Sequence, residues 1–367
     1  MLKNLKKDKA LIVSDLHLSF DRIKQKSDKE ASGGVLYLPV LEKIISTLKE
    51  HTPEYLFNLG DTFHNKDTVS ATLLEIYRDF LVRVSSMGIK VIQIAGNHDF
   101  SLVVNNYVYH ALRQFELDNV TIVHDTYKLN DKIGFMSYCN DKETYQRRIS
   151  ELGSVKVLFG HFDINGFALG DDYIEKKTYL SLEDLIDFDL VISGHYHEPQ
   201  EKDLGDFKVV YAGSAYTTTF GESNQEKRFI LFDLKTNEQL DIPTNMTLHK
   251  TIKITSKDSY PEIPKKDLAI GVKYKVKVEA TIEQYENFLL AKPKNYPDSV
   301  IIEPSFISEN KDRIEMKSSD TKEDIIEKYV EYRLESLFEK DKRESQDYID
   351  MKEELIAEGL RYLSMGF

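Results

Sequence analysis

Five short stretches of the chain end in side chains that can ligate cations or move protons: Ser14-Asp15-Leu16-His17, Gly60-Asp61-Thr62-Phe63-His64, Gly96-Asn97-His98-Asp99, Gly160-His161 and Gly194-His195-Tyr196-His197. Six of the ten histidines fall in these turns, a concentration that unrelated core histidines do not explain. Carboxylates, imidazoles and one amide, with no thiolate, suit divalent manganese, iron or zinc better than a sulfur-loving ion. So many ligands call for two ions. Asp15, His17 and His197 are expected to hold one, and Asn97, His161 and His195 the other. Asp61 is expected to bridge them, because the two oxygens of a carboxylate can each face a different cation. Two such ions about 3.5 to 4 Å apart activate a water as hydroxide and polarise a phosphoryl oxygen, which favours in-line attack on a phosphate ester. His98, beside Asn97, is left to give a proton to the leaving oxygen or to face the phosphate as a cation. Asp99 is expected to orient it.

Each turn needs an element that delivers it. Residues 10–13, 55–59, 91–95, 157–159 and 190–192 are short runs of Val, Ile, Leu, Phe and Ala. Such runs read as buried strands, covered on both faces, and these five are expected in one sheet. In open α/β sheets ligands bind at the carboxyl ends of the strands, where all five turns stand. Gly96 is expected to let the chain reverse there. Within 70–87, Leu73, Tyr77, Phe80, Leu81 and Val84 share one face at helical spacing, and Leu41, Ile44, Ile45 and Leu48 repeat the pattern earlier. Both stripes read as core packing. Strands alternating with helices predict an α/β layered domain. Residues 208–211 and 228–233 read as strands of a second sheet packed on the first.

Composition bounds the remainder. At 367 residues and 41% hydrophobic, the chain can bury a sizeable core and carry a smaller second unit. The net charge of −13 repels nucleic acid as a global field, so any such partner must meet local basic patches or bound cations. Two stretches offer basic residues: the polar loop 19–34, with Arg22 and Lys24, and the strand pattern Val272 to Val278, which alternates with Lys273, Lys275 and Lys277. Either is by default a solvated face, with phosphate contact as the second reading. The single Cys139 excludes an intrachain disulfide and a Cys-based zinc site, and suits a reducing cytoplasm. The apolar run behind the basic N-terminus is too short for a signal peptide, and no stretch is long enough to span a bilayer.

Beyond residue 243 the pattern becomes a small α+β unit: strands near 251–255, 272–278 and 299–302, and a helix opened by the Thr281/Gln284 capping box. From 319 charged helices follow, the first opened by a capping box at Thr321 and Asp324. One apolar stripe holds Ile326, Tyr329, Val330, Leu334, Leu337 and Phe338. A second holds Tyr348, Met351, Leu355, Ile356, Leu360 and Leu363. Such helices pack on their own domain or offer a ridge to another protein.

The five turns, in this order, resemble the calcineurin-like metallophosphoesterase superfamily, whose pattern they match without a missing ligand. The resemblance implies a layered β-sandwich flanked by helices and two divalent ions, manganese first, with magnesium, iron or zinc as alternatives. Three residues past the bridging aspartate, the Ser/Thr phosphatase branch carries Asp-Arg-Gly, whereas this chain has His64-Asn65-Lys66. Gly-Asp-x-Phe-His is similar to SbcD-type nucleases of double-strand-break repair, in which that histidine is implied to help place the DNA strand. Phe159-Gly160-His161-Phe162-Asp163-Ile164-Asn165-Gly166-Phe167, Tyr211-Ala212-Gly213-Ser214-Ala215-Tyr216 and Ile242-Pro243-Thr244-Asn245 extend the resemblance, also toward phage-encoded recombination endonucleases. It is strong to about residue 250 and weak beyond.

Where many members continue toward Arg-Pro or Pro-Ser, this chain has Asn65-Lys66-Asp67-Thr68. The resemblance implies a DNA nuclease, exonucleolytic on duplex ends and endonucleolytic on single strands, with Lys66 among its DNA contacts. It further implies a nuclease domain over 1–248, a capping domain over 249–318, and helices over 319–367 that dock on an SMC-like ATPase of SbcC type. A homodimer in a cytoplasm, including that of a phage host, completes the expectation. The alternatives are a phosphatase or small-nucleotide phosphodiesterase using the same ions, and a non-catalytic scaffold for the ATPase.

Overall fold

The computed structural model describes residues 5–19, 38–66, 68–104, 107–115, 117–167, 178–269, 271–307, 326–331, 334 and 346–364. Two six-stranded sheets dominate it. In spatial order the first is Gln239–Pro243 (β14), Arg228–Asp233 (β13), Lys6–Val13 (β1), Pro53–Asn58 (β2), Lys90–Ile94 (β3) and Val120–Val123 (β6). The second is Gln200–Asp203 (β11), Lys208–Tyr211 (β12), Leu190–Gly194 (β10), Val157–His161 (β9), Ile133–Met136 (β8) and Thr126–Lys128 (β7). Each has four neighbouring parallel strands, β1-β2-β3-β6 and β12-β10-β9-β8. Antiparallel partners flank them.

The expectation of a single sheet under the five turns is thereby corrected. β1, β2 and β3 lie in one sheet, and β9 and β10 in the other. The two later strands expected together are also divided, β12 going to the second sheet and β13 to the first. An apolar run records that both of its faces are covered but not which strand lies beside it, so composition could not sort them.

The sheets pack face to face through one core. Ala10, Ile12, Phe57, Leu59, Ile92 and Ile94 from the first meet Phe135, Val157, Phe159 and Ile192 from the second. Rings interlock across the layers, with Phe57 and Phe135 centroids 4.8 Å apart and nearly perpendicular, and Phe159 5.3 Å from Phe232. Alternate residues of β1–β3 face the other way. There Ala71–Ser86 (α2) buries Leu73, Tyr77, Phe80, Leu81 and Val84, the stripe read from the sequence. Each such aliphatic or Phe side chain contributes roughly 1.5–3 kcal/mol of burial. The Ser70 side chain caps α2 by accepting from Leu73 N. The Tyr77 hydroxyl donates to Gln93 of β3 at 2.6 Å and accepts from Asn58 of β2 at 3.2 Å, which pins the helix to the strand ends. Leu38–His51 (α1) likewise buries Leu41, Ile44, Ile45 and Leu48. Lys142–Leu152 (α3) covers the outer face of the second sheet with Tyr145 and Leu152. A hairpin, Phe100–Val104 (β4) with Tyr107–His110 (β5), leaves directly from the third turn.

The described chain divides into two compact units: Met1–Ile254 with Asp258–Lys277 and Lys292–Glu303, and Thr255–Lys257 with Val278–Ala291 and Pro304–Phe367. A three-stranded sheet runs His249–Thr255 (β15), Lys273–Ala280 (β16), Ile301–Phe306 (β17). The third strand begins two residues later than expected. Lys265–Ala269 (α4) precedes β16, and Ile282–Leu290 (α5) opens with both halves of the Thr281/Gln284 capping box formed. In the second unit, residues 326–331 are helical and Val330 and Leu334 are buried. Lys352 of the terminal helix Gln346–Ser364 pairs with Glu331. Leu337, Phe338 and the capping box expected at Thr321 lie outside the described residues. Among the described residues no helix is long and apolar enough to cross a membrane.

Candidate metal centre

The five turns meet at one end of the sandwich, and backbone bonds lock them together. Asp15 N donates to Gly60 O at 3.1 Å, His17 N to Asp61 O at 2.9 Å and His64 N to Leu18 O at 3.1 Å, joining the first turn to the second. The buried Asp99 carboxylate accepts from the backbone N–H groups of Thr62, Phe63 and Gly96 at 3.0–3.1 Å, joining the second turn to the third. His195 N donates to the Asp15 carboxylate at 3.2 Å, joining the fifth to the first. These bonds hold Asp15, His17, Asp61 and His195 at φ of 52°, 41°, 50° and 93°, a region side-chain-bearing residues seldom enter.

Two expectations change here. Asp99 does not orient His98; its oxygens are taken by the amides of two turns, and His98 Nδ1 instead donates to the backbone carbonyl of His64 at 2.7 Å. Gly96 is not needed for a left-handed reversal, since its φ is not positive. A methyl group there would strike Asp61 and come within 2.9 Å of the His161 ring, so its role is close approach.

The donor atoms face inward. Asp15, His17 and His197 offer ligand atoms within 4.8 Å of one another, as do Asp15, Asp61 and His161, and His17, His64 and His98. Asn97 Oδ1 stands 2.9 Å from both His161 Nε2 and His195 Nδ1. Asp61 turns Oδ1 toward His161 Nε2 at 3.4 Å and Oδ2 toward His17 Nε2 at 3.6 Å, so its two oxygens face different imidazoles. The outer ring nitrogens are held from behind. His161 Nδ1 donates to Leu59 O at 2.8 Å and His197 Nδ1 to Glu222 at 3.0 Å, which leaves each Nε2 directed into the site.

Those donors fit divalent cations. His17 Nε2 and His197 Nε2 lie 2.9 Å apart, a pair of lone-pair nitrogens that needs a proton or a cation between them. Among the described residues, buried His17 Nδ1 has no hydrogen-bond partner. The electrostatics match. Burial alone would lower His161, but the Asp61 charge overrides it and raises the imidazole to about 9. Burial, with the positive charge of His161, pushes His195 down to about 3. Burial, with the Asp61 charge, raises Asp99 to about 7. Acids and bases held this close divide their protons unevenly, the electrostatic mark of a functional site.

Glu222 and Lys227 were not anticipated from the sequence. Glu222 is 7% exposed and Lys227 4%, and their charged atoms lie 2.8 Å apart behind His197. Burial works to raise Glu222, but the hydrogen bond and charge of His197 and the ammonium of Lys227 hold it well below the usual carboxylate range. No motif carries this pair; the one hint is a charged residue near an apolar strand. Tyr138 was also unforeseen, its ring 6.4 Å from that of His195 and nearly parallel to it.

The expected DNA contacts divide. Lys66 is exposed two residues beyond His64, itself exposed. Lys275 is engaged by Glu303 at 2.9 Å and lies over the Phe220 ring, while Lys277 is exposed and Lys273 half-buried. Arg22 and Lys24 lie outside the described residues.

Residues 9–199, which carry all five turns, match the pattern of the Calcineurin-like phosphoesterase family. The chain belongs to that family. Phosphoester hydrolysis is therefore the reaction class of this calcineurin-like centre. Among similar proteins, Exonuclease subunit 1 of Enterobacteria phage T4 is 25% identical over 339 residues, 88% of this chain and 92% of its own. DNA double-strand break repair protein Mre11 of Nanoarchaeum equitans (strain Kin4-M) is 26% identical over 359 residues, 87% of this chain and 90% of its own. The SbcD component of the nuclease SbcCD of Staphylococcus epidermidis is 25% identical over 240 residues, 54% of this chain and 61% of its own. The first two similarities extend well past the residues that match the family pattern.

Proposed function

We propose that this calcineurin-like phosphoesterase is a metal-dependent DNA nuclease, exonucleolytic on duplex ends and endonucleolytic on single strands, working with an SMC-like ATPase. The observation that carries the reading is Asp61 with one oxygen toward each of two imidazoles, at the meeting point of all five turns. Two relatives are named as an exonuclease and a nuclease, which supports nucleic acid as substrate, and the third is named for DNA double-strand break repair, which supports DNA. Asp15, His17 and His197 would hold one cation, Asn97, His161 and His195 a second, and Asp61 would bridge them. When bound, the cations, manganese first, supply Lewis-acid activation of water and neutralise charge on the phosphate.

The chain's own groups do the remainder. With Nδ1–H held by the His64 carbonyl, His98 keeps Nε2 to carry a proton to the departing 3′ or 5′ oxygen. His64, exposed beside it, contacts the strand and helps set the phosphate against the ligands. Lys66 adds a positive charge at the mouth of the site, where the net charge of −13 would otherwise repel DNA. Residues 249–318 would serve as a capping domain. The helices of 319–367 would dock on the ATPase, and the part-exposed Ile349, Met351 and Leu355 favour that use. A homodimer in a cytoplasm fits the same picture.

Incubation with end-labelled duplex and single-stranded DNA, beside a phosphomonoester, in manganese with and without a candidate ATPase, tests the proposal. DNA cleavage well above monoester hydrolysis is expected. Efficient monoester hydrolysis with intact DNA would refute the nuclease reading in favour of a phosphatase. Protein that binds no metal would favour the scaffold.

A further inference from the structure

Beside the turn that carries His64 lies a cavity of about 300 Å³. Its floor is Leu18, Phe63 and Leu73, each at most 4% exposed, and its rim is Asn65, Thr68 and Ser70, all exposed. The volume stands at the small end of ligand pockets, roughly 300–1,000 Å³, and suits one ring system. The described side chains that line it are apolar or neutral and polar. A flat, neutral heterocycle with polar edges matches both surfaces. The Asn65 amide offers a donor and an acceptor. The Ser70 oxygen accepts from Leu73 N at 3.2 Å, which leaves its hydroxyl proton to donate.

Position identifies the occupant. Leu18 and Phe63 are paired by a parallel bridge; Leu18 directly follows His17 and Phe63 directly precedes His64. Whatever fills the cavity therefore lies one residue from the site on both turns. A phosphodiester set against that site has a base attached within one nucleotide. We infer that the cavity is a subsite for one unstacked nucleobase next to the scissile phosphate, so that the enzyme acts on single-stranded or frayed DNA in preference to paired DNA. This rests on the nuclease reading. Asn65 and Thr68 belong to the loop where this chain departs from the SbcD-type pattern, so the subsite is a feature of its own sequence. A base in a duplex cannot enter without leaving its stack, which is the source of the preference.

The test pairs a substrate change with a protein change. A single abasic site is moved through a labelled single-stranded oligonucleotide, and kcat/KM is measured in manganese for wild type and for Thr68→Trp, which fills the cavity from an exposed position. In wild type, one abasic position beside the cut is expected to lower kcat/KM about tenfold, the scale of one lost base contact. In Thr68→Trp the same lesion is expected to change it less than about twofold, because the base no longer has a place to enter. Asn65→Ala provides the same comparison if Thr68→Trp does not unfold cooperatively. An abasic penalty of equal size in wild type and variants, or no sensitive position at all, overturns the subsite alone. Wild type that hydrolyses bis(p-nitrophenyl) phosphate but no oligonucleotide overturns the nuclease reading and the subsite with it.

Discussion

Removing the Glu222 carboxylate should weaken both the fold and the cation site, and the sizes can be worked from its neighbours. Its side chain and that of Lys227 are 9% and 2% exposed and 2.8 Å apart. Breaking such a buried pair costs about 3–5 kcal/mol, mostly because the remaining charge is stranded. Lys227 Nζ would still reach His197 O and Gln225 Oε1, each at 2.8 Å, so the lower figure, about 3 kcal/mol, applies to Glu222→Ala. Thr218 N would also lose its acceptor, and His197 Nδ1 would keep only the Thr218 hydroxyl, at 2.9 Å. With the carboxylate gone and that hydroxyl left alone to orient it, the His197 ring is held less firmly, and losses of this kind behind a ligand of the proposed cation lower metal affinity roughly 10- to 100-fold. Urea unfolding of metal-free protein reads the first effect without interference from bound cation, and manganese titration calorimetry reads the second. Adding Lys227→Met should restore part of the stability, since the stranded charge is then gone, while leaving manganese affinity low. Glu222→Ala with the wild-type urea midpoint and wild-type manganese affinity would refute the reasoning.

Asp61→Asn should abolish binding of both cations together with activity, whereas His98→Ala should keep two metals per chain and lose roughly 10²–10⁴ in kcat; metal analysis beside turnover checks both, and cleavage retained by metal-loaded His98→Ala would remove that residue from catalysis. Gly96→Ala should cost at least about 1–3 kcal/mol and displace Asp61, because the added methyl meets that carboxylate; a thermal melt with metal content decides it. The buried His110 is pushed down to about 3 by burial, then by His124 and Arg113. Its folded pKa lies below the unfolded value near 6.5, so the unfolded chain binds more protons between those limits. Stability should therefore be fully present above about pH 6.5 and fall by at most about 1.4 kcal/mol per unit on acidification, a slope that His110→Phe should flatten in urea melts at pH 7 and 5.

Which residues gather at the candidate site was largely legible because ligand chemistry restricts residue type. Asp15, His17, Asp61, Asn97, His161, His195 and His197 could be named from strand-end turns, since core packing alone seldom places ligand-type side chains directly after an apolar run, let alone five times. α2 was legible to within a residue at each end because its apolar stripe repeats at helical spacing. The division of the strands between two sheets was not legible. Phe57 and Phe159 have the same local pattern, and they differ only in which partner lies alongside, a long-range fact that no window of sequence holds. The role of Asp99 was misread for a related reason. Adjacency to His98 in the chain suggested a partner, but in a tight turn neighbouring side chains diverge, and the carboxylate found amides from Thr62 and Phe63 instead. Glu222 and Lys227 escaped notice because a buried ion pair has no period and no motif.

The layout also explains why the site can be strained. Each left-handed residue among Asp15, His17, Asp61 and His195 costs on the order of 1–3 kcal/mol, and such conformations persist only where the surroundings over-determine them. Here the over-determination is structural. Parallel strands of two different sheets, joined by the ring contacts of Phe57, Phe135, Phe159 and Phe232, deliver their carboxyl ends to one place. Amide-to-carboxylate and amide-to-carbonyl bonds then tie turn to turn. A ligand set spread over a single sheet would lie along a line of strand ends. Two sheets facing each other close it into a cage, with Asn97 from one reaching His161 and His195 from the other at 2.9 Å. The sandwich, which the sequence pattern alone did not resolve, is thus what turns five separate strand ends into one centre.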